Sequence, residues 1–324
     1  MRFIYIAILL AWLSKFAGAW PPGSLVESDY NGWNKINRFF VFGDSYSRIG
    51  FKSTGVQPSD SNPFGNTGTT SANGRNWVEY LTDTYNKNNT WTYDFAQSGA
   101  TIDVDVQASA QLVDVDGQIA DQFLPIYASQ SGFYTGPSSL FGIWIGINDI
   151  YNSFLLQDST KNAALIARLR ELVVELYDAG ARNFIFLNMP PLERAPKVTG
   201  SSAAAIRIPI MKTTVGDYNA RLWKLARSVN HDLGYTTVFY YDVNTLFNSI
   251  IDDPSQFVET SIYKDTTSFC SAYKNGTPGW NTKYDECEYA ANEYLWTNNF
   301  HPSQPAHQLL AKEIGDMLTR GASV

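Results

Sequence analysis

A three-layer α/β/α fold built on a mostly parallel five-stranded sheet is the architecture this sequence predicts. Three observations carry the expectation: short unbroken apolar runs recur along the chain, longer segments of helical periodicity separate them, and three of the runs end in polar, glycine-containing turns. Runs without polar alternation suit strands covered on both faces, and strands separated by helices pair in parallel. Taken in order, Arg38-Phe39-Phe40-Val41-Phe42 reads as a buried strand ending at Gly43, and residues 91–95 as a weaker strand. Leu140-Phe141-Gly142-Ile143-Trp144-Ile145 is a third, ending at Gly146, and Asn183-Phe184-Ile185-Phe186-Leu187 a fourth that stops at Pro190-Pro191. Helical segments at 163–177 and 215–230 precede the fourth strand and a fifth at 236–241, and a last helix covers 306–318. Ligands of such sheets bind beyond the carboxyl ends of the strands. That rule places the turns Gly43-Asp44-Ser45, Gln97-Ser98-Gly99 and Gly146-Ile147-Asn148-Asp149 on one rim.

The 324 residues are 44% hydrophobic, 15% aromatic and 17% charged, enough apolar surface to offset the entropy of ordering. With 24 Lys plus Arg against 31 Asp plus Glu and no basic run, nucleic acid is excluded as an expected partner, because binding it begins with neutralising phosphates. The first nineteen residues read as an export signal, with Arg2, an apolar run over 3–13 and the small residues Ala17-Gly18-Ala19; cleavage would leave Trp20 first. That run is too short to span a bilayer and nothing later approaches ~20 apolar residues, so no stable membrane insertion is expected. Residues 20–324 read as one domain, secreted and extracellular, with no linker or internal repeat. Cys270 and Cys287 are the only cysteines, and an oxidising compartment lets them close a loop worth roughly 3 kcal/mol, against the alternative of two buried thiols. Asn88-Asn89-Thr90 and Asn275-Gly276-Thr277 match the glycosylation acceptor pattern.

A serine just after a buried strand is held rigidly and exposed at the sheet edge, as a nucleophile must be; Ser45 fits, although a turn serine would look the same. No Gly-x-Ser-x-Gly elbow occurs. The base must come from His231, His301 or His307. His231 lies at a helix end and His307 in the first turn of the last helix, whereas His301 sits in Phe300-His301-Pro302, an extended stretch able to project onto the rim. Gly99 offers a backbone N–H and Asn148 a side-chain amide for an oxyanion. The acidic run Asp103, Asp105, Asp114, Asp116 and Asp121 lacks the spacing of a calcium loop and reads as a solvated face.

As a set, Gly43-Asp44-Ser45-Tyr46-Ser47, Gly99 in Phe95-Ala96-Gln97-Ser98-Gly99-Ala100, Gly146-Ile147-Asn148-Asp149 and His301-Pro302 resemble the four blocks of the SGNH, or GDSL-type, hydrolases. From about Arg38 to the end, the chain is most similar to the secreted fungal acetylesterases of carbohydrate esterase family sixteen, on Gln57-Pro58-Ser59, Asn62-Pro63, Asn76-Trp77 and Trp144-Ile145-Gly146-Ile147-Asn148-Asp149. The resemblance implies a flavodoxin-like doubly wound sheet, Ser45 as nucleophile, His301 as general base, and Gly99, Asn148 and the Ser45 N–H as oxyanion hole. It also implies acetyl or other short acyl esters, such as acylated carbohydrates, as substrates and no cofactor or metal. One position departs from the superfamily: where an Asp usually stands three residues before the His, this chain has Asn298. An amide oxygen can accept from Nδ1–H but brings no charge, and an amide NH2 turned to the ring would enforce the wrong tautomer. The expected function is a secreted serine esterase; the rivals are a lipase or lysophospholipase of the same fold, and a secreted carbohydrate-binding protein weakened in catalysis.

Overall fold

Phe39, Phe40, Val41 and Phe42 are all fully buried, as a strand covered on both faces requires. They form β1 (Arg38–Gly43), the second strand of a five-stranded sheet in the computed structural model, which describes residues 30–86, 88–109, 113–155 and 161–321. The export signal expected at 1–19 lies outside the described residues. β2 (Trp91–Asp94), β3 (Ser139–Trp144), β4 (Asn183–Leu187) and β5 (Thr237–Tyr241) complete the sheet in the order β2-β1-β3-β4-β5. Every pairing is parallel, with Gly43 opposite Trp144 across β1 and β3. The winding reverses between β1 and β3, which opens a crevice at their carboxyl ends.

Six helices matter to the site: α1 (Trp77–Asp83), α2 (Ile147–Leu155), α3 (Asn162–Asp178), α4 (Ala204–Asp232), α5 (Val243–Asp252) and α6 (Gln304–Arg320). On one side α6 packs against α1 and α5; on the other α4 packs against α3 and α2. Between sheet and helices lies an aromatic core in which Phe40 meets Phe123 and Phe141, and Phe42 stacks on Phe95 at 5.3 Å.

Two expectations need correction. The helix read at 215–230 begins at Ala204, within what looked like a connection. Its first turns expose Ile206 and Ile210 and carry Pro209, so no apolar stripe marks them; the buried face starts at Met211. The acidic run is a solvated face only in part: Asp105 and Asp121 are exposed, but Asp103 is buried and, with Asp116, holds the Arg168 guanidinium at 2.7 and 2.9 Å. Asp114 accepts from the Val104 and Gly117 N–H groups, ordering the loop that follows Gly99.

Cys270 and Cys287 are bonded, with Cα atoms 5.7 Å apart. Tyr273 and Cys287 of the loop they close form, with Ala291 and Tyr294 just beyond it, a small apolar cluster separate from the main core. With so little burial, covalent closure contributes a sizeable part of that loop's order. Among the described residues no helix is long and apolar enough to cross a membrane.

Candidate active site

β1 delivers Ser45 to the crevice through a turn with almost no freedom. At Gly43 a Cβ would come within 2.4 Å of the Trp144 carbonyl oxygen, so only glycine lets β1 and β3 approach so closely. The buried Gln118 side chain takes over where β2 ends: its Oε1 accepts from the Gly43 N–H at 2.9 Å and its Nε2 donates to the Gly43 carbonyl at 2.8 Å. Beyond Gly43, the Asp44 carboxylate accepts from the Tyr46 N–H, and the Ser47 and Arg48 N–H groups donate to the Asp44 carbonyl. Asn76, the N-cap of α1, donates to the Ser47 carbonyl at 2.6 Å, and the Trp77 indole N–H donates to the Ser47 hydroxyl at 3.1 Å. The start of α1 is thereby bolted to the Ser45 turn.

His301 comes from the extended segment ahead of α6, and its Nε2 lies 2.8 Å from the Ser45 Oγ. Its Nδ1 lies 3.0 Å from the Asn298 Oδ1. That same oxygen accepts from the backbone N–H groups of Phe300 at 2.9 Å and His301 at 3.0 Å. Turning the amide over would point NH2 at two N–H donors, so the hydrogen-bond pattern fixes the oxygen toward the ring. Nδ1 must then carry the proton, and Nε2 is left with the lone pair that faces the serine hydroxyl. The Tyr46 hydroxyl donates to the Phe300 carbonyl, and its ring lies 5.4 Å from that of His301, tying the two halves together.

Burial pushes the His301 imidazole down to about 4, with the positive charge of Lys197 acting in the same direction. Lys197 has no ion pair among the described residues; its ammonium rests on the rings of Tyr151 at 3.8 Å and Phe300 at 4.8 Å. The other histidines stand apart. His307 is buried in the first turn of α6 beside Tyr46 and Trp144, and burial lowers it to about 3; His231 is exposed next to Asp232.

Gly99 turns the chain at φ 82°, and neither its N–H nor that of Ser45 has a partner among the described residues. The Asn148 amide donates to the Ala100 carbonyl at 2.9 Å and, at a long 3.4 Å, to the Asp44 carboxyl. Behind it, burial raises Asp44 to about 7 and Asp149 to about 8, and Asp149 accepts the Ile102 N–H. His301, Asn298 and Thr297 also line a cleft of about 1010 Å³. Its walls are the segments 68–75 and 274–280, rich in Thr, Ser, Asn and Gly and carrying Trp280.

Residues 39–314 match the family model GDSL-like Lipase/Acylhydrolase. The chain belongs to that family. This GDSL-type acylhydrolase is a carboxylic ester hydrolase, and its five-stranded parallel sheet is the SGNH architecture. It is 31% identical over 285 residues to an acetylesterase of Thermothelomyces thermophilus, covering 85% of this chain and 86% of that one. An acetylesterase of Hypocrea jecorina is 24% identical over 322 residues, covering 84% and 86% respectively. An acetylxylan esterase from Geobacillus stearothermophilus is similar in structure at a TM-score of 0.49 and 16% identity, covering 88% of this chain and 96% of that one.

The GDSL blocks were visible in the sequence, but several groups that hold them were not. Gln118 acts on Gly43 from 75 residues away, and no local pattern announces such a bond. Tyr46 could be read only as part of the serine block, and Trp280 lies in a loop without periodicity.

Proposed function

We propose that this acylhydrolase removes acetyl or other short acyl groups from carbohydrate esters outside the cell. The observation that carries the reading is the unbroken relay from Ser45 Oγ through His301 to Asn298 Oδ1, at 2.8 and 3.0 Å. Ser45 attacks the ester carbonyl while His301 Nε2 takes its proton; the oxyanion is met by the Ser45 and Gly99 N–H groups and the Asn148 amide, which gives up its long contact to Asp44. Imidazolium then protonates the departing alcohol, leaving an acyl-serine. Water, deprotonated by His301, releases the acid and restores Ser45.

The alcohol must leave within hydrogen-bonding reach of His301 Nε2, which assigns the cleft beside His301 to the leaving group. Hydroxyl and amide side chains make up most of its lining, with Arg75, Glu79 and Lys274 among them, a surface that suits a polyol better than an alkyl chain. The disulfide fits an oxidising compartment, as does the export signal read at 1–19. For glycosylation, Asn275 is exposed, whereas the Asn88 amide donates to the Ile36 carbonyl at 2.8 Å.

A series of p-nitrophenyl esters tests the reading. Acetate and propionate are expected to be preferred, with kcat/KM lower by about tenfold or more for decanoate; a preference for decanoate would make this a lipase instead. The pH profile follows from the imidazole. The base works only when neutral, so kcat/KM for p-nitrophenyl acetate should be half-maximal near pH 4 and level above it, and Lys197→Met should move that limb to higher pH.

A further inference from the structure

The cleft beside His301 is larger than one sugar needs. At about 1010 Å³ it lies at the upper end of the range for small-ligand sites, ~300–1,000 Å³. Its lining extends from His301 to Trp280, a residue that is 41% exposed. The wall that carries Trp280 is built, not loose. Asn73 donates to the Thr277 hydroxyl at 2.9 Å and accepts the Thr277 N–H at 2.8 Å, joining the two sides of the cleft. The stem of Trp280 lies against Gly74, where a Cβ would come within 3.1 Å of it, and Gln304 accepts the Arg75 N–H at 2.8 Å on the same wall. The disulfide closes the loop that carries Trp280.

An exposed indole held rigidly in a polar cleft offers a flat apolar face for the C–H side of a sugar ring while the hydroxyls and amides around it take the ring's OH groups. The same cleft begins at the group that must protonate the leaving alcohol. We propose that Trp280 and the wall 274–280 form a subsite for sugar units beyond the acylated one, so that the enzyme prefers acylated oligosaccharides to acylated monosaccharides. This rests on the esterase reading above, with His301 acting on the leaving group.

The test compares p-nitrophenyl acetate, acetylated glucose and partially acetylated cellotetraose on the wild type, Trp280→Ala, Trp280→Phe and Trp223→Ala. Trp223 is the control, a second exposed tryptophan that lies beside Tyr240, outside this cleft. The wild type should favour the tetrasaccharide over glucose acetate. Trp280→Ala should lower kcat/KM for the tetrasaccharide by about tenfold relative to p-nitrophenyl acetate, Trp280→Phe should restore most of it, and Trp223→Ala should leave the ratio alone. Equal losses on all substrates, no loss on the tetrasaccharide, or the same loss in Trp223→Ala would overturn the subsite. Failure of the wild type to cleave p-nitrophenyl acetate would instead remove the esterase reading beneath it.

Discussion

Replacing His301 by alanine is expected to lower kcat/KM for p-nitrophenyl acetate by about 10⁴-fold without unfolding the chain. The Ser45 hydroxyl is inert at neutral pH unless a base takes its proton, and His301 Nε2 is the histidine nitrogen placed at hydrogen-bond distance from it, at 2.8 Å. His307 cannot substitute: it is 2% exposed, packed beside Tyr46 and Trp144, with its Nδ1 buried and unpartnered. Because His301 is partly exposed at the cleft, its removal leaves a space open to solvent, and added imidazole should recover part of the lost rate. Steady-state kinetics with a circular dichroism spectrum checks both halves. A loss of folded signal, or a residual rate near that of the wild type, would count against the role.

Asn298→Leu should cost about 10³-fold, chiefly in kcat, while Asn298→Asp should change turnover at neutral pH by less than tenfold. The leucine has no acceptor for Nδ1–H, so the imidazole is free to place its proton on Nε2, where it blocks proton transfer from Ser45. It also strands the Phe300 and His301 N–H groups that Asn298 Oδ1 now accepts. The aspartate keeps all three acceptor contacts and adds a negative charge 3.0 Å from Nδ1. That charge favours imidazolium, so the acid limb of kcat/KM should move upward from near pH 4. A role in loop support alone would leave that limb in place, so its shift in Asn298→Asp is the readout of the contact to the ring. A large gain in Asn298→Asp would mean that the asparagine weakens the relay.

Much of this arrangement was legible because the strands are short and uniformly apolar. All five strands fall within a residue or two of where the apolar runs place them, and the carboxyl ends of β1, β2 and β3 put Ser45, Gly99 and Asn148 on one rim. His301 stood out because proline follows it and keeps it out of α6. What sequence could not supply were bonds between distant polar groups. Whether Asn298 faced the imidazole with oxygen or nitrogen was open until the two backbone donors fixed it. Arg168 gathers Asp103 and Asp116 from another helix, so the acidic run looked solvated when read alone. The early turns of α4 went unread because exposed Ile206 and Ile210 with Pro209 mimic a loop. The pKa of His301 depends on burial and on Lys197, neither of which has a local signature.

The central claim is that Ser45, activated by His301, is the nucleophile of this acylhydrolase. A fluorophosphonate reacts with an activated serine and adds a fixed mass to it. Folded wild type should be labelled once, on the peptide containing Ser45, and Ser45→Ala should not be labelled at all; folded wild type that stays unlabelled, or label persisting in Ser45→Ala, would contradict the account.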